Sequence, residues 1–229
     1  MCRQIRHALL VLILGLSVVT LDAVKPKDVM GSVRALTWTN YDIDQEDGIP
    51  TRRIHCTAFA VGPHQWVTAG HCIRGMQDYE LGEDASGGWR VTVKFLDISR
   101  DLAGMVDHRD KPLKEWFVLG GEPKVGDALA TSGYPYGIVK VYLHGWVAIP
   151  RGVIEGVDER RPYMFFTGFA ACTGQSGSPV VNKHGELVSV VQFGLGYPCS
   201  SLPGGAPYTA LEDFLVAFRA LDPPTRPGQ

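Results

Sequence analysis

Charge of one sign is what this sequence most plainly lacks. Against 24 Asp and Glu stand 22 Lys and Arg, a formal net charge of −2 over 229 residues. That balance excludes a polybasic nucleic-acid arm and an acidic solvating tail. The apolar run Ala8 to Val19 covers 12 residues, short of the roughly 20 that a membrane-spanning helix needs. No repeat, heptad or low-complexity segment is present, which excludes a solenoid or a coiled coil. Asn40 and Asn182 both lack the acceptor pattern, so N-glycosylation is not expected. Cysteine is scarce, at five.

Turn formers are in excess. Gly and Pro number 27 and 15, near 18% of the chain against roughly 12% in average usage. With no Gly-X-Y period, this reads as a turn-rich globular chain. Residues 1–23 read as a secretory signal peptide: Arg3 and Arg6 precede the apolar run, and the small residue Ala23 follows it. An uncleaved anchor is the competing reading. Cleavage there leaves 206 residues with a net charge of −3, since Arg3, Arg6 and Asp22 leave with the segment. Residues 24–52 read as an N-terminal segment or a propeptide, and 223–229 as a disordered tail.

The fifth cysteine, Cys2, leaves with the signal segment. Cys56, Cys72, Cys172 and Cys199 remain, an even number in an exported chain, which suggests two disulfides. Three connectivities are open; pairing of sequence neighbours is the simplest.

Short turn-bounded strands point to an all-β sandwich or barrel. From Trp89 to Phe95 apolar and polar residues alternate, and Val139 to Val147 repeats the pattern. Ile54–Ala60, Trp66–Ala69, Ala128–Ser132, Met164–Thr167 and Glu186–Phe193 are further candidates. One helix closes the chain: Thr209 and Glu212 are spaced as a capping box, and Leu211, Phe214, Leu215, Phe218 and Leu221 recur on one face. Pro223-Pro224 ends it.

Three segments carry chemistry. In Gly174-Gln175-Ser176-Gly177-Ser178-Pro179, a serine sits beside glycines that allow close backbone approach, as a nucleophile facing a developing oxyanion requires. In Thr68-Ala69-Gly70-His71-Cys72, a histidine ends an apolar strand, placed to act as a general base. A core histidine or a zinc ligand is the bland alternative, and the surrounding His and Cys lack zinc spacing. In Asp101-Leu102-Ala103, an aspartate at a strand edge is able to orient an imidazole. Asp97 is its rival, while Asp107 and Asp110 read as solvated loop residues. The order His71, Asp101, Ser176 excludes an α/β-hydrolase, which runs Ser, Asp, His.

Together these blocks resemble the chymotrypsin/trypsin-like serine proteases, compact bacterial-type members above all. Val188 to Gly194 and Gly205 to Thr209 extend the likeness, which runs from about Arg53 to Leu221. The resemblance implies two antiparallel six-stranded β-barrels with a C-terminal helix, a protease domain over 53–222, and a catalytic triad of His71, Asp101 and Ser176. It implies an oxyanion hole from the amides of Gly174 and Ser176, and disulfides Cys56–Cys72 and Cys172–Cys199. Ala170, Ala171, Gln192, Phe193, Gly194 and Ala206 would line a small, uncharged pocket, and Val191 stands where acid-specific relatives carry histidine. The expected activity is a secreted or periplasmic endopeptidase that prefers an apolar residue before the cut. No metal or organic cofactor is expected. The expected partners are a protein or peptide substrate and, as the resemblance admits, a proteinaceous inhibitor; nucleic acid and, after signal cleavage, membrane are not. A monomer is expected. Three departures stand out: Gln175 replaces the aspartate that receives a new N-terminus, Gly104 replaces an apolar residue, and Gln192 replaces a serine that supports the triad aspartate. Gln175 and Gln192 leave room for a second reading, a catalytically weak protease fold kept for binding.

Overall fold

A computed structural model describes residues 31–40, 51–73, 75, 78–83, 88–154, 161–195 and 199–221. The expected signal peptide and the 223–229 tail lie outside these. Strands β1 (Val33–Asn40), β2 (Thr51–Ala60), β3 (Gln65–Ala69), β4 (Tyr79–Gly82), β5 (Gly88–Asp97) and β6 (Leu102–Asp107) close a first antiparallel barrel in the order β1-β2-β3-β6-β5-β4. Strands β7 (Ala128–Gly133), β8 (Val141–Gly152), β9 (Tyr163–Thr167), β11 (Pro179–Asn182), β12 (Leu187–Gly194) and β14 (Pro203–Gly205) close a second, in the order β11-β12-β14-β9-β8-β7. Interleaved with the second barrel's strands along the chain, β10 (Ala171–Cys172) pairs with β13 (Cys199–Ser200) as a small separate ribbon. The helix α1 (Tyr208–Leu221) follows. The protein is thus all-β, in two six-stranded barrels, as the resemblance implied.

The seven strands expected from pattern all form. β5 alternates as expected, with Val91 buried and Arg90, Thr92 and Lys94 exposed. β8 starts two residues later than the alternation suggested and runs on to Gly152. β1 was not anticipated. It lies inside the 24–52 segment, yet pairs with β2 from Val33↔Phe59 to Asn40↔Thr51 and with β4 from Ala35↔Gly82 to Trp38↔Tyr79. The first barrel therefore begins at Val33, not near Arg53.

Each barrel is filled from within, the first by Leu36, Trp66, Tyr79, Leu81 and Met105, the second by Leu129, Met164, Phe166, Val180 and Val188. A third core lies on the seam: Phe59, Val67 and Leu102 meet Tyr134, Val181 and Val190, and α1 adds Leu211, Phe214, Leu215 and Phe218. Each such side chain contributes about 1.5–3 kcal/mol of burial, so the seam is rigid enough to hold groups from both barrels in register. α1 begins at Tyr208, with the amide of Leu211 donating to Pro207 O. Thr209 therefore lies within the first turn rather than capping it. Leu221 is exposed at the helix end, off the buried face. Gly104 is explained here: a Cβ on it would run into the Phe218 ring, so the glycine makes room for α1 against β6.

Candidate active site

β3 ends at Ala69 and the chain tightens into a single 3₁₀ turn, Gly70–Cys72, which presents His71 at the surface. Gly70 is required there, since a Cβ would stand 2.9 Å from the Asp101 carbonyl carbon and the Leu102 nitrogen. Its amide donates to Asp101 O (2.8 Å), and the His71 amide donates to Asp101 Oδ1 (2.6 Å). Cys72 is bonded to Cys56 of β2, which anchors the far side of the turn. The His71 side chain then meets the same carboxylate through Nδ1, 2.9 Å from Oδ2 and 3.1 Å from Oδ1.

Asp101 sits in the left-handed region, φ 54°, immediately before β6, a conformation that Asp tolerates better than most residues. A side chain from the other barrel braces it: Gln192 Nε2, on β12, donates to Arg100 O (2.6 Å) and Asp101 O (2.9 Å). Asp97, the rival carboxylate, faces elsewhere. It accepts from Ser99 Oγ (2.6 Å) and from the Arg100 amide and Nη1 (3.0 and 2.6 Å). Partial burial works to raise its pKa, but these donors bring it below the ordinary value.

Ser176 lies on the loop from β10 to β11, between two glycines with left-handed backbones, Gly174 (φ 94°) and Gly177 (φ 85°). Side chains there would collide with Tyr134 O and Thr57 O respectively. The loop is pinned from several sides. The Thr57 amide donates to Ser176 O (2.8 Å), Thr57 Oγ1 to Gly174 O (2.9 Å), the Gly177 amide to Val191 O (2.7 Å) and the Tyr136 amide to Thr173 O (2.6 Å). Gln175 is buried and folds back, its Oε1 accepting from the Cys172 amide (2.7 Å) while its own amide donates to Cys172 O (3.0 Å). Among the described residues, no backbone carbonyl accepts from the amides of Gly174 and Ser176.

The six residues expected to line a pocket come from three segments, of which β10 and the end of β12 adjoin at Ala171 and Gly194. Ala170 is exposed ahead of β10, and Ala171 is buried on it. Gln192, Phe193 and Gly194 end β12, but the Gln192 side chain turns toward Asp101, and the Phe193 ring packs on Tyr163 (4.6 Å between centroids) and Phe165 (6.0 Å). Ala206 is fully buried in the seam core. Cys172–Cys199 ties β10 to β13 beside this region, and Tyr136 Oη lies 3.0 Å from Cys199 Sγ. Both disulfides join the neighbours in sequence.

Cys56, His71 and Cys72 present ligand-type atoms within 4.8 Å of one another. With both sulfurs joined in a disulfide, no thiolate remains to hold an ion. Two residues stand where the sequence did not place them, one at the site and one at the far end of the β3–β6 pair. Arg161, just ahead of β9, puts Nη2 3.3 Å from Asp101 Oδ2. Asp107, expected to be solvated, is instead buried at the end of β6, where His64, Trp66 and Arg109 bind it.

Two closed barrels with a His–Asp pair and a glycine-flanked serine at their seam define the class: an all-β, chymotrypsin-like hydrolase scaffold. The family model of the trypsin-like peptidase domain matches residues 56–190, and the chain belongs to that family. This supports a serine protease-type function. A comparison with curated proteins finds no match. Two disulfides suit an extracellular or periplasmic setting. Among the described residues, no helix is long and apolar enough to cross a membrane.

Proposed function

We propose that this protein is an exported serine endopeptidase in which Ser176 attacks the scissile carbonyl, His71 carries the proton and Asp101 orients His71. The observation that carries the reading is the His71 Nδ1 contact with Asp101 Oδ2 at 2.9 Å. With Nδ1 donating to the carboxylate, Nε2 is left as the base. It takes the Ser176 hydroxyl proton as the Oγ–carbon bond forms, and the carbonyl oxygen becomes an oxyanion facing the Gly174 and Ser176 amides. Loss of one such donor typically costs ~10²–10³ in turnover. His71 returns the proton to the leaving amine, and water repeats the sequence on the acyl-enzyme.

The binding-module reading rested on Gln175 and Gln192, and each has employment that favours catalysis. Gln175 closes the oxyanion loop through the Cys172 amide without any new N-terminus, so we propose that no such activation switch is used. Gln192 braces the carbonyls around Asp101. The uncharged Ala170 and Ala171, ahead of the serine loop, support an apolar preference before the cut.

A fluorophosphonate probe tests the reading. Wild type should label covalently and Ser176→Ala should not; a folded, freshly purified wild type that fails to label would overturn it in favour of the binding module. Cleavage of a peptide library only after Lys or Arg would overturn the apolar preference alone.

A further inference from the structure

Asp101 Oδ2 serves two cations. His71 Nδ1 approaches it at 2.9 Å and Arg161 Nη2 at 3.3 Å. The arginine arrives from the second barrel, in the short stretch leading into β9, while His71 and Asp101 belong to the first. Its side chain is only 20% exposed, and the guanidinium lies 5.5 Å over the Tyr163 ring. Nη2 is buried and makes no hydrogen bond of its own, so what it offers the carboxylate is charge at close range. Arginine holds that charge at any working pH, even though burial pulls its pKa down here, against the pull of Tyr163 and Asp97.

We infer that Arg161 is a positioning and tuning residue for the proposed triad, lowering the basicity of His71 by sharing the carboxylate that stabilises its protonated form. The inference rests on the peptidase reading for its catalytic meaning, though the coupling itself does not need it. A carboxylate beside an imidazole favours the imidazolium; a fixed positive charge on the same oxygen takes part of that stabilisation away. His71 then stays a free base to lower pH, so the site works further into the acid range. The cost is weaker support for the imidazolium that forms as Ser176 attacks.

Among the described residues, Arg161 and His71 are the cations that ion pairs join to Asp101. Arg100, the other arginine near the turn, is held by Asp97 (2.6 Å) and Asp213 of α1 (3.2 Å). Asp101 faces His71 from the turn before β6, and the Cys56–Cys72 disulfide behind the 3₁₀ turn does not titrate. On the β12 side, Gln192 braces Asp101 without carrying charge.

The test is an NMR titration of the His71 ring, assigned among the seven histidines by its loss in His71→Ala. It is run on wild type, Arg161→Gln and Arg161→Met, the last keeping an unbranched apolar stem to cover Tyr163, with Arg161→Lys as the charge-retaining control. Removing the charge should raise the His71 midpoint by about 0.5–1 pH unit, and the acid limb of fluorophosphonate labelling should move with it. Arg161→Lys should keep most of the wild-type midpoint. An unmoved midpoint in either folded, charge-free variant overturns the inference, since a merely structural arginine would alter stability without moving the titration. The two readings fail separately: wild type that never labels, yet shows the shift, sinks the peptidase and leaves the coupling. Labelling with no shift does the reverse.

Discussion

The antiparallel pair β3–β6 carries a histidine–aspartate contact at each end. At one end, His71 follows β3 and Asp101 precedes β6, with Ala69 opposite Leu102. At the other, His64 precedes β3 and Asp107 ends β6, with Gln65 opposite Val106. The distances are nearly equal, 2.9 Å for His71–Asp101 and 2.8 Å for His64–Asp107. Everything around them differs. Asp107 has no exposed side-chain surface and accepts from Trp66 Nε1 (2.7 Å) and from Arg109 Nε and Nη2 (3.0 and 2.6 Å) as well as His64. Arg109 stacks in turn over Trp89 at 4.4 Å. Asp101 instead has a left-handed backbone, a partner histidine 45% exposed, and a single arginine at longer range. The same two residue types therefore make a saturated internal brace in one place and an open pair, the proposed proton relay, in the other. What separates them is donor saturation and the presence of a serine loop across the seam, not the pair itself.

The sharpest way to break the comparison is to neutralise each aspartate in turn. Asp101→Asn should lower fluorophosphonate labelling and peptide cleavage by about 10⁴-fold, since an amide favours the wrong histidine tautomer. Its melting temperature should stay within a few degrees of wild type. Activity within tenfold of wild type would mean that the open pair is no relay.

Asp107→Ala should do the opposite. It leaves Arg109 and Trp66 Nε1 without their buried partner, and breaking such a pair destabilises by about 3–5 kcal/mol. Labelling per folded molecule should be unchanged. Urea denaturation followed by Trp fluorescence measures the first, and active-site titration of the folded fraction the second. A stable but inactive variant would erase the distinction between the two ends.

How far the sequence could have drawn this contrast is instructive. The blocks around His71, Asp101 and Ser176 stand out in the sequence because the proposed catalysis would demand particular residue types next to glycines that the backbone needs for close approach. The choice of Asp101 over Asp97 came from resemblance, and the structure adds the local reason: Ser99 and Arg100 already occupy Asp97. Asp107 was misread because His108, Arg109 and Asp110 follow it, a stretch that looks solvated. Its burial depends on His64 and Trp66, more than 40 residues earlier. β1 escaped notice for a different reason. Val33 and Ala35 face the seam core while Leu36 faces the barrel interior, so both sides are buried and the alternation that marks a half-exposed strand is erased. Arg161 follows no motif at all, and only the closing of one barrel on the other brings it to Asp101.

The smallest effect concerns acid stability, and it falls on the closed pair. Burial works to raise the Asp107 pKa, but Arg109, His64 and Trp66 hold it below the ordinary aspartate value of 3.8. A group with a depressed folded-state pKa stabilises the fold fully above its unfolded pKa and loses that contribution as pH falls through the folded one. Unfolding free energy should therefore be flat with respect to this group near neutral pH. It should fall only below about pH 4. Asp107→Ala should be less stable than wild type at pH 7, with the gap narrowing toward pH 2. Denaturant titrations of both proteins at several pH values read this directly, and a gap that stays constant down to pH 2 would show that the buried carboxylate braces β3 and β6 by shape rather than by charge.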